Sequence, residues 1–216
     1  MIAFVSVWSA AAGGLDAAIE AVDRHVDGYH VDVMDGRMVD RKLFGPSTIA
    51  RLRNRTTRPI EAHLMVADAE RWIDDCAKAG ADVITVHARS CRGLRATIDA
   101  IAGTGAGPGL AIGTEEPIEL ARPHLDRLAH LLVMGTALGV KGASLDARAY
   151  RRVREAANIC RGARQRPMVI ADGGIRTTTA PRLAAAGADG VVPGSLVFSH
   201  PDPAARVRWL HDLRPG

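Results

Sequence analysis

The chain has 216 residues, 47% of them apolar, 24% charged and 4% aromatic, and a formal net charge of +4, the profile of one globular domain spanning residues 1–216. No apolar stretch approaches the roughly 18 residues of a membrane span, and scattered glycine and proline exclude collagen-like and low-complexity chains. Basic residues interleaved with acids, and few aromatics for base stacking, argue against a nucleic-acid partner and leave a mildly basic surface that suits an anionic small substrate.

Met1 to Gly14 is apolar with small residues at Ala10 to Ala12, but it lacks the basic start of a signal peptide. It reads as a first buried strand, Ile2 to Val7, running into a helix. A second strand is expected at Tyr29 to Met34. At the two-residue period of a strand, His30, Asp32 and Met34 share one face and Tyr29, Val31 and Val33 the other. The apolar face packs under helices, so the first face points inward. A histidine and a carboxylate two apart on an inward face either chelate one cation or form a buried hydrogen-bonded pair. The third strand, Ile60 to Met65, places His63 and Met65 on one face by the same parity. A helix follows at Ala69 to Ala79, where Trp72, Ile73, Cys76 and Ala77 recur at helical spacing. The fourth strand, Val83 to His87, turns His87 inward, where it reads as a satisfied core histidine rather than as support behind a site.

Strands five and six are expected at Gly109 to Ile112 and Leu131 to Met134. The seventh, Met168 to Ala171, runs into Asp172-Gly173-Gly174, which puts another carboxylate at its end, and the eighth, Gly190 to Val192, runs into Pro193-Gly194-Ser195. The tetrapeptide AGAD occurs at 79–82 and 186–189, each time closing a helix and opening a strand, with Gly80 and Gly187 as helix C-caps. Met34, Met65 and Met134 read as gap-filling core that keeps this side of a pocket dry. His25, His124, His130, His200 and His211 form no constellation. Cys76, Cys91 and Cys160 match neither a disulfide framework nor a zinc ribbon, which places the chain in a reducing cytoplasm.

Eight strand–helix units of about 27 residues each leave two architectures, a closed (β/α)8 barrel or an open doubly wound sheet. Polar residues sit at the C-terminal ends of several separate strands, the rim where barrels carry their active sites. No Gly-x-Gly-x-x-Gly or P-loop lysine is present to support a nucleotide site. Two imidazoles, His30 and His63, and two carboxylates, Asp32 and Asp172, make a divalent-metal set suited to zinc, iron, cobalt or manganese. Glycines after strands seven and eight form the usual barrel phosphate cradle of backbone N–H groups.

These residues resemble the ribulose-phosphate 3-epimerase family. The match spans HVDVMDG at 30–36, FGP at 44–46, HLMV at 63–66, GADVITVHA at 80–88, DGGI at 172–175, TAPRLAAAGAD at 179–189 and GS at 194–195. The resemblance implies a (β/α)8 barrel, a homo-oligomer and a phosphorylated ketose as substrate. It implies that one divalent ion is held by His30, Asp32, His63 and Asp172, and that Asp32 and Asp172 are the acid/base pair. Ser6 and His63 match substrate-contacting positions, and Gly142, Gly173, Gly174, Gly194 and Ser195 match positions around the sugar phosphate. The chemistry agrees: inverting a hydroxyl-bearing carbon beside a ketone needs one group to remove the α-proton and another to return one to the opposite face, through a 2,3-enediolate.

Three segments depart from the family. After strand six, Ala137-Leu138-Gly139-Val140-Lys141-Gly142-Ala143 replaces a loop like Asn-Pro-Gly-Phe-Gly-Gly-Gln, keeping only Gly139 and Gly142. This loop closes over the sugar phosphate, so its change bears on substrate identity. Lys141 is there either a point charge for the phosphate or a solvated lysine. GRMVDRKLFGP replaces GHFVPNLTFGP after strand two, where Arg37, Asp40 and Arg41 are expected to reshape the mouth. Val5 to Ala11 keeps the serines of the family's first strand and loses its aspartate. The activity expected is interconversion of D-ribulose 5-phosphate and D-xylulose 5-phosphate. The alternatives are the same chemistry on another ketose phosphate, such as a hexulose 6-phosphate, and a phosphosugar-binding barrel without turnover.

Overall fold

In the computed structural model, which describes residues 1–10, 14–214 and 216, eight parallel strands follow one another around a ring in sequence order. They are β1 (Ile2–Ser6), β2 (Gly28–Met34), β3 (Ile60–Met65), β4 (Val83–His87), β5 (Gly107–Ile112), β6 (His130–Met134), β7 (Met168–Asp172) and β8 (Gly190–Val192). Ile2 pairs with Gly190 and Ala3 with Val191, so β8 returns to β1 and closes a (β/α)8 barrel. That contact excludes the open sheet. Val7, expected at the end of the first strand, instead begins a short helix, and β6 starts one residue early, at His130, which pairs with Gly109 and Met168.

The helices are α1 (Val7–Ala10), α2 (Leu15–Val22), α3 (Pro46–Arg53), α4 (Glu70–Lys78), α5 (Leu94–Gly103), α6 (Ala149–Cys160), α7 (Ala180–Ala185), α8 (Ser195–Phe198) and α9 (Pro203–Asp212). Helix α4 buries Ile73 and Cys76 with Trp72 and Ala77 packed beside them, as the spacing predicts. The connection from β5 to β6 is a run of 3₁₀ turns, Ile118–Arg127, rather than an α-helix. Pro123 inside it supplies no N–H and clashes with a continuing α-helical turn. Ala11 and Ala12, which include the position of the family's first-strand aspartate, lie outside the described residues.

Alternation along the strands separates two cores. The larger lies between the outer strand faces and the helices and holds Val5, Val31, Val33, Ala62, Leu64, Ile84, Val86, Leu131 and Val169. The smaller lies inside the barrel and holds Ala111, Leu132, Met134, Ile170 and Val192, from β5 to β8. On the inward faces of β1 to β4 stand polar groups instead: Ser6, His30, Asp32, Glu61, His63, Thr85 and His87, all buried. The interior is therefore half apolar and half polar, and the polar half has to satisfy itself. Glycine makes room for it: a methyl added at Gly109 would overlap the Thr85 hydroxyl.

Both AGAD segments end their helices as expected, Gly80 and Gly187 each having φ +101°. Their aspartates do a second job. Asp82 accepts from the amide of Ile60 at 2.8 Å and Asp189 from that of Val169 at 2.8 Å, which pins the start of the preceding strand. Asp27 repeats the device, accepting from Ala3 at 2.8 Å, and also meets His211 Nε2 at 2.8 Å, tying α9 to the barrel floor. Among the described residues no helix is long and apolar enough to cross a membrane, and Cys76, Cys91 and Cys160 are free thiols.

Candidate active site

The pairing register brings the functional side chains together at the C-terminal ends of β1, β2, β3 and β7. Asp32 pairs with His63 across β2 and β3, Ser6 with His30 across β1 and β2, and Asp172 ends β7 beside Met134. One donor atom from each of His30, Asp32, His63 and Asp172 lies within 4.8 Å of all the others. His30 Nε2 is 3.2 Å from Asp32 Oδ1 and 3.7 Å from Asp172 Oδ2; His63 Nδ1 is 3.4 Å and 3.8 Å from the same two oxygens. Ser6 Oγ donates to Asp32 Oδ2 at 3.2 Å.

His63 Nδ1 is a buried nitrogen that forms no hydrogen bond, and it faces two carboxylates. Its Nε2 is 2.9 Å from His87 Nε2. With the proton on Nε2, donated to His87, the Nδ1 lone pair points into the carboxylate cluster. Two imidazole nitrogens and two carboxylate oxygens with this spacing and burial fit a first-row divalent cation. His30 and His63 lie fully buried beneath the carboxylates, whereas Asp32 and Asp172 reach the pocket.

The two carboxyls are held in different states. Burial drives Asp32 up, but His30 and His63 outweigh it and bring its pKa below the ordinary value. Burial also drives Asp172 up, the nearby Asp32 and Glu61 carboxylates add to it, and its pKa rises to about 6. Burial opposes charge on His30, yet Asp32 and Glu61 raise its pKa well above the usual value. His87 is pushed well below its usual value by burial and by His63 and Arg89, so it stays neutral. One carboxyl thus favours the ionised form and the other holds its proton more readily.

Above the carboxylates opens a cavity of about 170 Å³. Met65 and Met134 line it beside them, while Met34, the register partner of Met65, is buried and is not part of the lining. Gly142, Gly173, Gly174, Gly194 and Ser195 all line it, as do Trp8 and Ser9. Gly174 has φ +68°, and a methyl there would stand 2.7 Å from the Leu145 backbone, so only glycine brings its main chain this close. Lys141 and Arg176 also line the cavity. Lys141 Nζ donates to the Trp8 carbonyl at 3.2 Å and lies 5.8 Å from its ring. Arg176 donates to the carbonyls of Ile175 (3.0 Å) and Gly142 (3.2 Å). Among the described residues neither cation is paired with a carboxylate, and both side chains donate to carbonyls. Arg37, Asp40 and Arg41 do not line the cavity; Arg41 stacks 5.5 Å from the Trp8 ring and reaches the mouth only through it.

Two interior residues lie outside the expected set, His130 and Glu61, and His87, expected to point inward, has a different part from the one expected. His130 belongs to a constellation after all, its Nδ1 lying 3.2 Å from Glu61 Oε1, because β6 begins at His130 and turns it inward. Glu61 Oε2 is 2.9 Å from His30 Nδ1. The signal for Glu61 was present in the motif IEAHLM, where it shares the inward parity of His63. His87 is not the satisfied core histidine expected, since its Nδ1 has no partner and its Nε2 serves His63.

A closed parallel barrel whose C-terminal rim gathers two carboxylates, two imidazoles and a glycine-lined cavity has the build of a barrel enzyme. Residues 2–198 match the model of the ribulose-phosphate 3 epimerase family. The chain is 32% identical to the ribulose-phosphate 3-epimerase of Bacillus subtilis over 97% of its own length and 96% of that protein's. It is 36% identical to that of Rhodobacter capsulatus, over 89% and 84% of the two. Orotidine 5'-phosphate decarboxylase of Pyrococcus horikoshii shares the fold, with a TM-score of 0.67 at 17% identity and full coverage of both chains. The chain belongs to the ribulose-phosphate 3-epimerase family, and it is an isomerase of the carbohydrate-epimerase type.

Proposed function

We propose that the protein is a divalent-metal-dependent ketose-phosphate 3-epimerase interconverting D-ribulose 5-phosphate and D-xylulose 5-phosphate. The observation that carries this reading is the convergence of Asp32 and Asp172 with His30 and His63 within 4.8 Å. Each carboxyl has a part. Asp32, held ionised by its imidazole neighbours, takes the proton from C3 and leaves the electron pair in the enediolate. Asp172, whose raised pKa favours the protonated form, returns a proton to the other face of C3; the reverse reaction exchanges the roles. Ser6 orients Asp32 through its hydroxyl. His30, Asp32, His63 and Asp172 would hold zinc, iron, manganese or cobalt, and such an ion supplies Lewis-acid stabilisation of the enediolate oxygens.

The charges of the cavity suit a two-ended substrate. Asp32 and Asp172 line the cavity together with Lys141 and Arg176, whose side chains donate to carbonyls, and with Gly142, Gly174 and Ser195. A divalent ion balances the carboxylates, which leaves the two cations for a phosphate dianion. Lys141→Ala and Arg176→Ala are each expected to raise KM for a ketose phosphate about tenfold and to leave KM for the unphosphorylated ketose nearly unchanged. An unchanged KM for the phosphate ester would return Lys141 to a solvated role.

The altered loop after β6 supports a second reading, the same chemistry on another ketose phosphate such as a hexulose 6-phosphate. Solvent-deuterium incorporation at C3 across a panel of ketose phosphates tests both. Fastest exchange into ribulose 5-phosphate is the expected result, fastest exchange into a hexulose phosphate selects the second reading, and no exchange into any overturns the epimerase. Residues 1–216 act as one barrel domain, and the free cysteines suit a reducing cytoplasm, where the family resemblance favours a homo-oligomer.

A further inference from the structure

We propose that Glu61, braced by His130 and Thr85, is a positioning residue for the cation site, fixing His30 with its proton on Nδ1 and its Nε2 lone pair turned toward Asp32 and Asp172. The inference rests on the reading of His30 as a cation ligand and adds residues that touch neither ion nor substrate.

Glu61 is fully buried inside the barrel. Its Oε1 accepts from Thr85 Oγ1 at 2.6 Å and meets His130 Nδ1 at 3.2 Å; its Oε2 meets His30 Nδ1 at 2.9 Å. With Thr85 donating to Oε1 and a ring nitrogen facing each oxygen, Glu61 stands as the shared acceptor, which places the ring proton of both imidazoles on Nδ1. For His30, the remaining nitrogen, Nε2, is the one that stands 3.2 Å from Asp32 and 3.7 Å from Asp172.

The surrounding strands are shaped around this carboxylate. Gly109 on β5 leaves the space for the Thr85 hydroxyl, and Phe4 on β1 packs edge-on to His130, with centroids 5.2 Å apart at 82°. Burying a charge costs several kcal/mol unless it is paired, and an apolar side chain of similar volume avoids that cost. Structural stability alone therefore gives a poor account of Glu61. A carboxylate behind a ligand imidazole fixes its ring and raises its basicity, an effect typically worth 10- to 100-fold in metal affinity. His63 has the His87 imidazole behind it in place of a carboxylate, so the two imidazoles are unequal ligands.

The test is Co(II) titration of the metal-stripped full chain, followed by visible absorption and by competition with a chelator. Glu61→Gln should lower Co(II) affinity 10- to 100-fold and change the Co(II) spectrum, because an amide cannot accept from Thr85, His130 and His30 together. Glu61→Asp should recover part of both. His130→Leu should give a smaller loss, and the double variant a loss below the sum of the two. In turnover, kcat should fall while KM for the ketose phosphate holds. Wild-type affinity and spectrum in a folded Glu61→Gln overturn the inference, as does a lowered melting temperature with an unchanged spectrum. If Glu61→Gln does not fold, wild-type affinity in both Glu61→Asp and His130→Leu overturns it. Failure of the wild-type chain to bind Co(II) or Zn(II) overturns the metal reading itself, and this inference with it.

Discussion

Asp172→Asn is expected to lower kcat by about 10²- to 10⁴-fold, the range for loss of a positioned acid/base group, and to leave a diagnostic residue of activity. The amide cannot give or take the proton on its face of C3. Asp32, hydrogen-bonded by Ser6 and flanked by His30 and His63, keeps its own. The variant should therefore still wash solvent deuterium into C3 of one epimer while failing to make the other. Asp32→Asn should show the mirror pattern, with exchange confined to the opposite epimer. Both measurements need the metal content of the variant protein, since each aspartate also belongs to the four-residue cluster. Near-normal epimerisation by either variant with its metal retained would remove the two-carboxylate mechanism.

On the proposed metal-dependent reading, stripping the ion is the second large effect expected. A Lewis acid at the enediolate oxygens contributes several kcal/mol to the transition state, so chelation should cut kcat by about 10³-fold, at one tenfold step per 1.36 kcal/mol. Zinc, cobalt, manganese or iron(II) should restore it. The barrel itself should remain, because the cluster caps one end of a sheet already closed by β8 on β1, and far-UV circular dichroism should be unchanged. Affinity should also depend on pH in a definite direction. In the metal-free protein the Asp32 and Glu61 carboxylates raise the pKa of His30 well above its ordinary value. An ion must displace that proton, so affinity rises with pH until His30 is neutral and weakens as pH falls below that point. Full activity after exhaustive chelation, with no metal left in the protein, would overturn the metal dependence.

The residues that sequence reading found and those it missed differ by a physical property. His30, Asp32 and His63 stand where apolar and polar residues alternate, over Tyr29 to Val33 and Ile60 to Leu64, so the inward face is read from local spacing alone. Asp172 and the glycines after β7 and β8 follow directly from strand ends. Glu61 obeyed the same parity, but one carboxylate among inward polar residues says nothing until its acceptors and donors are known. His130 was missed because the start of a strand is set by its neighbours' ladders, here Gly109 and Met168, and no local signal marks it. Arg176 and Trp8 enter the site because the loop after β7 and helix α1 meet the loop after β6.

By itself the sequence determined the strand–helix alternation, the inward faces and the chemistry at strand ends, because these depend on neighbours one to four residues apart. The tertiary structure decided what depends on distant residues. It closed the ring through Ile2 and Gly190, divided the interior into a polar and an apolar half, and set the register that puts Asp32 beside His63. It also set the β2–β3 register that pairs Glu61 with His30, and closed the barrel so that His130 on β6 reaches the same carboxylate.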